Sequence, residues 1–141
     1  MDEVLIGSVI ASTLRVTTPL LLAALAGLLS ERSGVVDLGL EGKMLSAAFA
    51  AAAVGALSGS TLLAVGAALL VACAWSMVHG FACVSHRGDQ VVSGVAINMV
   101  SAGLTVVLGI AWFAQGGQTP PVSPEVRLHG LVPGLDRKSV V

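Results

Sequence analysis

Two long stretches without charged side chains constrain the fold of this chain more than any other feature. No Asp, Glu, Lys or Arg occurs between Met44 and Cys83, and Glu125 is the only such residue between Gln90 and Val126. Charged residues make up 11% of the 141 residues, whereas soluble domains carry about 25%. A water-soluble surface cannot be built from such stretches, but a lipid bilayer accommodates them. The sequence therefore predicts an all-α integral membrane protein, a polytopic bundle of transmembrane helices.

About four apolar runs can cross a bilayer core of roughly 30 Å. The first, Val4 to Ser30, contains Arg15 and Pro19. It forms either one kinked helix or a short interfacial helix followed by a span from Val16 to Ser30. That second span would measure only about 22 Å, so we favour one helix that is kinked at Pro19. The other predicted spans are Met44 to Leu57, Thr61 to Val84 and Val91 to Ala111.

The segment between the first two spans, residues 31–43, fits neither a lipid-facing helix nor a free loop. It carries Asp37, Glu41 and Lys43 among Val, Leu and Gly residues. Irregular backbone is tolerated at membrane depth only where protein or water covers it. We therefore expect a re-entrant or interfacial segment that the rest of the protein covers.

Charge placement predicts the orientation and the domain boundaries. Residues 1–113 are expected to form the transmembrane bundle, and residues 114–135 form a Gly/Pro-rich loop. With four spans, the connections after the first and third spans share one side of the membrane and carry Arg32 and Arg87. The positive-inside rule assigns that side to the cytoplasm, so the N-terminus and the loop are expected to be extracytoplasmic.

Polar side chains at membrane depth are the candidate functional residues, because ionisable groups there are costly and imply a function by default. Arg15 lies in mid-span, where we expect it to pair with an acidic residue. Glu41 either lines a translocation path or pairs with Lys43, Arg32 or a helix N-terminus, and the sequence leaves both readings open. An amide in the cleanest span should face a neighbouring helix or a polar path, and we favour a structural hydrogen bond. The candidates are Arg15, Asp37, Glu41 and Asn98.

Metal, cofactor and nucleic-acid sites are not expected. His79, Cys83 and His86 lie on one helical face and are metal-capable types, but one straight helix rarely supplies three ligands to one ion. We expect His79 to hydrogen-bond within the bundle and His86 to lie at the water interface. No Gly-Lys-Ser/Thr motif follows the glycines of residues 31–43, and no basic run or aromatic platform for nucleic acid occurs.

The stretch from Thr13 to Leu45 resembles the permease subunits of bacterial ABC importers, in the branch that includes branched-chain amino acid, simple-sugar and nucleoside permeases. Its Ser-Glu-Arg-Ser-Gly-Val-Val element and the following Gly-Leu-Glu-Gly are most similar to nucleoside-type members. The segment from Gly88 to Asn98 and the later Thr-Pro-Pro loop are also similar. Asp37 departs from the Asn of many nucleoside-type members, and Lys43 departs from a commonly apolar position.

The resemblance implies a transport subunit rather than an enzyme, carrying a nucleoside or simple sugar across a bacterial inner membrane. It implies three partners: a second permease subunit, cytoplasmic ATP-binding ABC subunits and an extracytoplasmic substrate-binding lipoprotein. Family members are roughly twice as long, so the chain resembles an N-terminal fragment. Residues 136–141 read as a translated sequencing adapter, and we expect them not to be native.

Two functions from other classes compete with the transport subunit. One is a small oligomeric membrane scaffold or pore that works without an ATPase partner. The other is an intramembrane metalloenzyme that uses His79, Cys83 and His86.

Overall fold

A computed structural model of the chain describes residues 2–116 and 118–123. The described part is helical, and its elements are α1 (Asp2–Arg32), α2 (Leu40–Ser58), α3 (Thr61–Gly80) and α4 (Gln90–Phe113), with a π-helical turn (Phe81–Ser85) that continues α3. The expectations for residues 124–135 of the Gly/Pro-rich loop and for residues 136–141 lie outside the described residues.

The four helices of the described part are long and apolar enough to cross a membrane, with candidate spans of 28, 19, 25 and 24 residues. Even the shortest, α2, measures about 28 Å at 1.5 Å per residue, which is close to the thickness of a bilayer core. The prediction of an all-α polytopic bundle with about four spans is therefore confirmed.

Helix α1 runs without interruption through Pro19. The single-helix interpretation of the first apolar run is therefore confirmed, while the kink at Pro19 stays a prediction. No part of its apolar window is buried within the described structure. Gly27 lies beside the start of α2, where an added Cβ would be 3.3 Å from Leu40 Cδ1.

Helix α2 begins at Leu40, earlier than the Met44 expected from the sequence. The expectation was wrong because the charge of Lys43 is neutralised by Asp37, so that the helix can include this residue. The irregular backbone is therefore restricted to residues 33–39, which we call the 33–39 connection. Protein covers its last residue, Gly39, as well as Gly42 and Lys43. The expected covering of residues 31–43 is confirmed for these three residues and is wrong for residues 31–34, 36, 38 and 41, which are exposed in the described structure.

Helices α2 and α3 form a hairpin that turns at residues 59–60. Gly59 ends α2 in the left-handed conformation, with φ of 64°, and its N–H donates to Gly55 O. Glycine adopts this conformation without steric cost, which makes it the usual residue at such helix ends. At the other end of α3, the π-helical turn closes with a bond from His86 N–H to Phe81 O of 3.2 Å.

Helix α4 packs against α2 and spans the predicted run of residues 91–111 with a short extension at each end. Asp89 caps its start, because its carboxylate accepts hydrogen bonds from Val91 N–H at 2.8 Å and Val92 N–H at 3.1 Å. Near its other end, the ring of Trp112 stacks on that of Phe49, with 6.2 Å between centroids. The cap satisfies the first N–H groups of α4, and the ring contact holds its other end against α2.

Glycines allow the backbone of α4 to approach the start of α2 very closely. A Cβ added at Gly94 would lie 2.9 Å from Gly39 N, and one at Gly42 would lie 2.8 Å from Asn98 Cα. Small residues commonly permit such helix contacts in lipid, where packing replaces the hydrophobic driving force. This contact positions the polar groups described below.

We predict that Gly42→Ala and Gly94→Ala each destabilise the protein by about 1–3 kcal/mol, because the added methyl group meets backbone that cannot move aside. Thermal unfolding of the purified protein in detergent measures the effect. Gly66→Ala and Gly103→Ala are matched controls, since an added Cβ meets nothing within 4 Å at either position. Equal melting temperatures for the two groups of variants would contradict the close approach.

Candidate functional site: a polar cluster at the start of α2

Polar side chains converge where the 33–39 connection meets the start of α2, the end of α3 and the start of α4. Each element contributes at least one of them, and two of them, Lys43 and His79, are buried in the described structure. We call this set the polar cluster. Its members are Asp37, Lys43, His79, Gln90, Ser93 and Asn98.

A nearly buried ion pair forms the centre of the polar cluster. Lys43 Nζ donates to Asp37 Oδ2, and the side chains of Lys43 and Asp37 are 7% and 10% exposed. The second carboxylate oxygen, Oδ1, accepts the N–H of Gly39 at 3.0 Å. Charges so far from water persist only when they are paired and hydrogen-bonded. The two residues therefore depend on each other.

His79 connects α3 to α4 and to the 33–39 connection. Its Nδ1 lies 3.1 Å from Ser93 Oγ, and its Nε2 lies 3.3 Å from Val36 O and 3.8 Å from Asp37 Oδ1. The two oxygens beside Nε2 are acceptors, so we assign an N–H to Nε2, and in that tautomer the Ser93 hydroxyl donates to Nδ1. The expectation that His79 hydrogen-bonds within the bundle is confirmed.

Gln90, the first residue of α4, binds the backbone of the 33–39 connection. Its Oε1 accepts from Val36 N–H at 2.6 Å, and its Nε2 donates to Gly34 O at 3.4 Å. The connections after α1 and after the π-helical turn therefore lie at the same end of the bundle, as the arrangement of four spans predicts.

Asn98 satisfies backbone groups at the start of α2. Its Oδ1 accepts from Gly42 N–H at 2.7 Å, and its Nδ2 donates to Leu38 O at 2.9 Å. The first N–H groups of a helix have no partner within that helix and must be satisfied from elsewhere. Here α4 supplies the acceptor for α2. The expected bond from Asn98 to a neighbouring helical element is confirmed.

Two of the four candidate residues lie outside the polar cluster. Arg15 is exposed on α1 and makes no ion pair with any residue the structure describes, so its acidic partner stays a prediction. Glu41 is exposed in the first turn of α2, where the helix dipole favours a carboxylate. The predicted alternative in which Glu41 pairs with Lys43 is wrong, because Lys43 pairs with Asp37 instead.

Sequence reasoning did not single out Gln90, Ser93 and Gly94 as site residues. A signal for one face of α4 is present, since Gln90, Gly94 and Asn98 are spaced at i, i+4 and i+8 and therefore lie along one helical stripe. The local sequence does not indicate the partners of Gln90 and Asn98, which lie more than fifty residues away along the chain.

The chemistry of the polar cluster is that of hydrogen bonding and charge pairing. Within residues 2–116 and 118–123, no group of three His, Cys, Asp or Glu side chains is placed to hold a metal ion. Cys83 Sγ lies 3.7 Å from His79 Nε2, but the ring of His86 packs edge-on against Phe81, with 4.6 Å between centroids. The cluster is built to hold helices together.

Comparison with known proteins gives this bundle a family. The profile of the branched-chain amino acid transport system permease component matches residues 9–128, most of the chain. The chain belongs to this permease family. No solved structure matches it.

Curated relatives of the permease chain are ABC transporter permeases, which are transport components rather than enzymes. It is 40% identical to a guanosine ABC transporter permease protein of Bacillus subtilis, over 96% of this chain and 44% of that protein. It is 41% identical to a putative glucose ABC transporter permease protein of Haloferax volcanii, over 72% of this chain and 31% of that protein. A nucleoside ABC transporter permease protein of Lactococcus lactis is 33% identical, over 77% of this chain and 36% of that protein.

The permease chain thus spans less than half the length of the curated relatives that it matches. The matched region includes all four described helices from residue 9 onward, and with them the whole polar cluster. The residues of the polar cluster therefore lie within the region of the chain that the family profile matches.

We predict that Asn98→Ala destabilises the permease by about 1–3 kcal/mol, because it leaves Gly42 N–H and Leu38 O without their partner. Thr105→Val is the matched control on the same helix, since within the described residues Thr105 Oγ1 bonds only to carbonyls of α4, Ser101 O at 2.9 Å and Ala102 O at 3.1 Å. Thermal unfolding in detergent compares the two variants. A decrease in melting temperature for Thr105→Val as large as that for Asn98→Ala would contradict the role assigned to Asn98.

Proposed function

We propose that this chain belongs to the membrane permease subunit of an ABC importer and forms part of the translocation path for a nucleoside or a simple sugar. The observation that carries the proposal is the 40% identity over 96% of the chain to a guanosine permease. A second relative is named for nucleosides and another for glucose. The four helices of the described part are long and apolar enough to be membrane spans of such a subunit.

The proposal assigns energy coupling to other chains. A second permease subunit completes the path, cytoplasmic ATP-binding ABC subunits drive it, and an extracytoplasmic substrate-binding lipoprotein delivers the substrate. Arg32 and Arg87 lie in or beside the two connections at one end of the bundle, which supports a cytoplasmic location for that end. Residues 114–135 are then the extracytoplasmic loop, and residues 1–113 form the bundle in a bacterial cell membrane.

The geometry separates the candidate path residues into two kinds. Arg15 and Glu41 are exposed, so that their charges are available to a polar path or to another subunit. Asp37 and Asn98 are engaged within the polar cluster, so that their role is exerted through the position of α2. We propose Arg15 and Glu41 as the residues with access to a path.

Uptake measurements test the proposal. The complete permease that contains this chain is expressed with its partner subunits in cells that lack their own nucleoside uptake. Accumulation of labelled guanosine and of labelled glucose is then measured. We expect guanosine accumulation that unlabelled nucleosides inhibit and that is lost when the phosphate-loop Lys of the ATPase subunit is replaced.

The alternatives give different results in the same assay. Accumulation that glucose inhibits and nucleosides do not would assign a sugar substrate. Downhill flux that needs no ATPase subunit would indicate a pore and would contradict an importer.

A further inference from the structure

Each oxygen of the Asp37 carboxylate accepts a hydrogen bond from a group of this chain. Oδ2 accepts from Lys43 Nζ, Oδ1 accepts from Gly39 N–H at 3.0 Å, and His79 Nε2 lies 3.8 Å from Oδ1. The side chain is 10% exposed. A carboxylate in this state has little remaining capacity to bind a transported molecule.

Lys43 forms an ion pair with this carboxylate and with no other acid in the described structure. Its side chain is 7% exposed, and the nearest acid in sequence, Glu41, is exposed to solvent or lipid instead. The charges of Lys43 and Asp37 therefore cancel within one nearly buried pair, which connects the 33–39 connection to α2.

His79 extends this pair to α3 and α4. The ring accepts from Ser93 Oγ on α4, and its opposite nitrogen lies beside Val36 O and Asp37 Oδ1 on the connection. Asp37 is thus enclosed by groups from α2 and α3, with α4 one hydrogen bond further away.

We propose that Lys43 and His79 are positioning residues: together they hold the Asp37 carboxylate so that it fixes the start of α2 against α3 and α4. The role is exerted on the transport cycle through the helix arrangement and not through contact with substrate. The effect on the transport cycle rests on the proposed function, whereas the effect on the position of α2 does not.

The pair makes a specific prediction about combined substitutions. Removing one member of a buried ion pair leaves an unpaired charge and is strongly destabilising, whereas replacing both members by neutral groups of similar shape is often tolerated. Asp37→Asn keeps an acceptor for Gly39 N–H, and Lys43→Met keeps most of the volume of the side chain. The two substitutions should therefore be far from additive.

A double-mutant cycle tests the proposal, using the complete permease with its partner subunits. We expect Asp37→Asn and Lys43→Met each to lower the melting temperature in detergent and the maximal uptake rate per cell. The double variant D37N/K43M should recover most of both losses, with the KM for the transported substrate unchanged. Glu31→Gln is the control, because this acid is exposed at the end of α1 and makes no ion pair within the described residues.

A second comparison tests His79. His79→Gln retains a donor and an acceptor, whereas His79→Phe retains a ring without either. We expect His79→Gln to preserve more of the melting temperature and uptake rate than His79→Phe. Equal losses for the two variants would show that His79 only fills space and would overturn its positioning role.

Two outcomes would overturn the role of the ion pair. Additive losses in melting temperature would show that Asp37 and Lys43 do not depend on each other. A double variant with a restored melting temperature but a many-fold higher KM would place Asp37 in contact with the substrate. Because the melting temperature needs no substrate, it decides the structural part even if neither nucleosides nor sugars are transported.

Discussion

The requirement to satisfy polar groups at the start of α2 organises this end of the bundle. A helix that begins in a membrane protein presents N–H groups without partners, and here it also contains the charge of Lys43. Asp37 neutralises that charge and binds Gly39 N–H, while Asn98 binds Gly42 N–H from α4. Since these partners come from outside α2, the helix cannot start at this place unless α4 and the 33–39 connection are also in position.

The same requirement explains why glycines occur at the contact. The amide of Asn98 reaches both Leu38 O and Gly42 N–H only because the α4 backbone lies against that of α2, where a Cβ at Gly42 would be 2.8 Å from Asn98 Cα. Close packing and hydrogen bonding therefore support each other. Within the proposed importer, α2, α3 and α4 would move as one unit at this end, whereas α1, with its apolar surface unburied, is less tied to them.

The sequence predicts the membrane spans because their signal is local: runs without charge, bounded by Gly, Ser and charged residues. It also predicts a structural hydrogen bond for Asn98, since an amide inside an apolar span needs a partner, whereas the covering expected for residues 31–43 is limited to Gly39, Gly42 and Lys43. It does not predict the start of α2. The charges in residues 40–43 indicate that the second span begins after them, and only the structure shows that Asp37 neutralises Lys43. Nor does it predict that Gln90 binds Val36, a contact across 54 positions that only the packing of α4 creates.

Hydrogen–deuterium exchange of the permease in lipid nanodiscs tests most directly whether partners from outside α2 hold its start. The amides of Val36, Gly39 and Gly42 each donate to a side chain of the polar cluster. We predict that they exchange as slowly as amides inside the helices, and that Asn98→Ala accelerates the exchange of Gly42. Rapid exchange of all three amides in the unmodified protein would contradict this account.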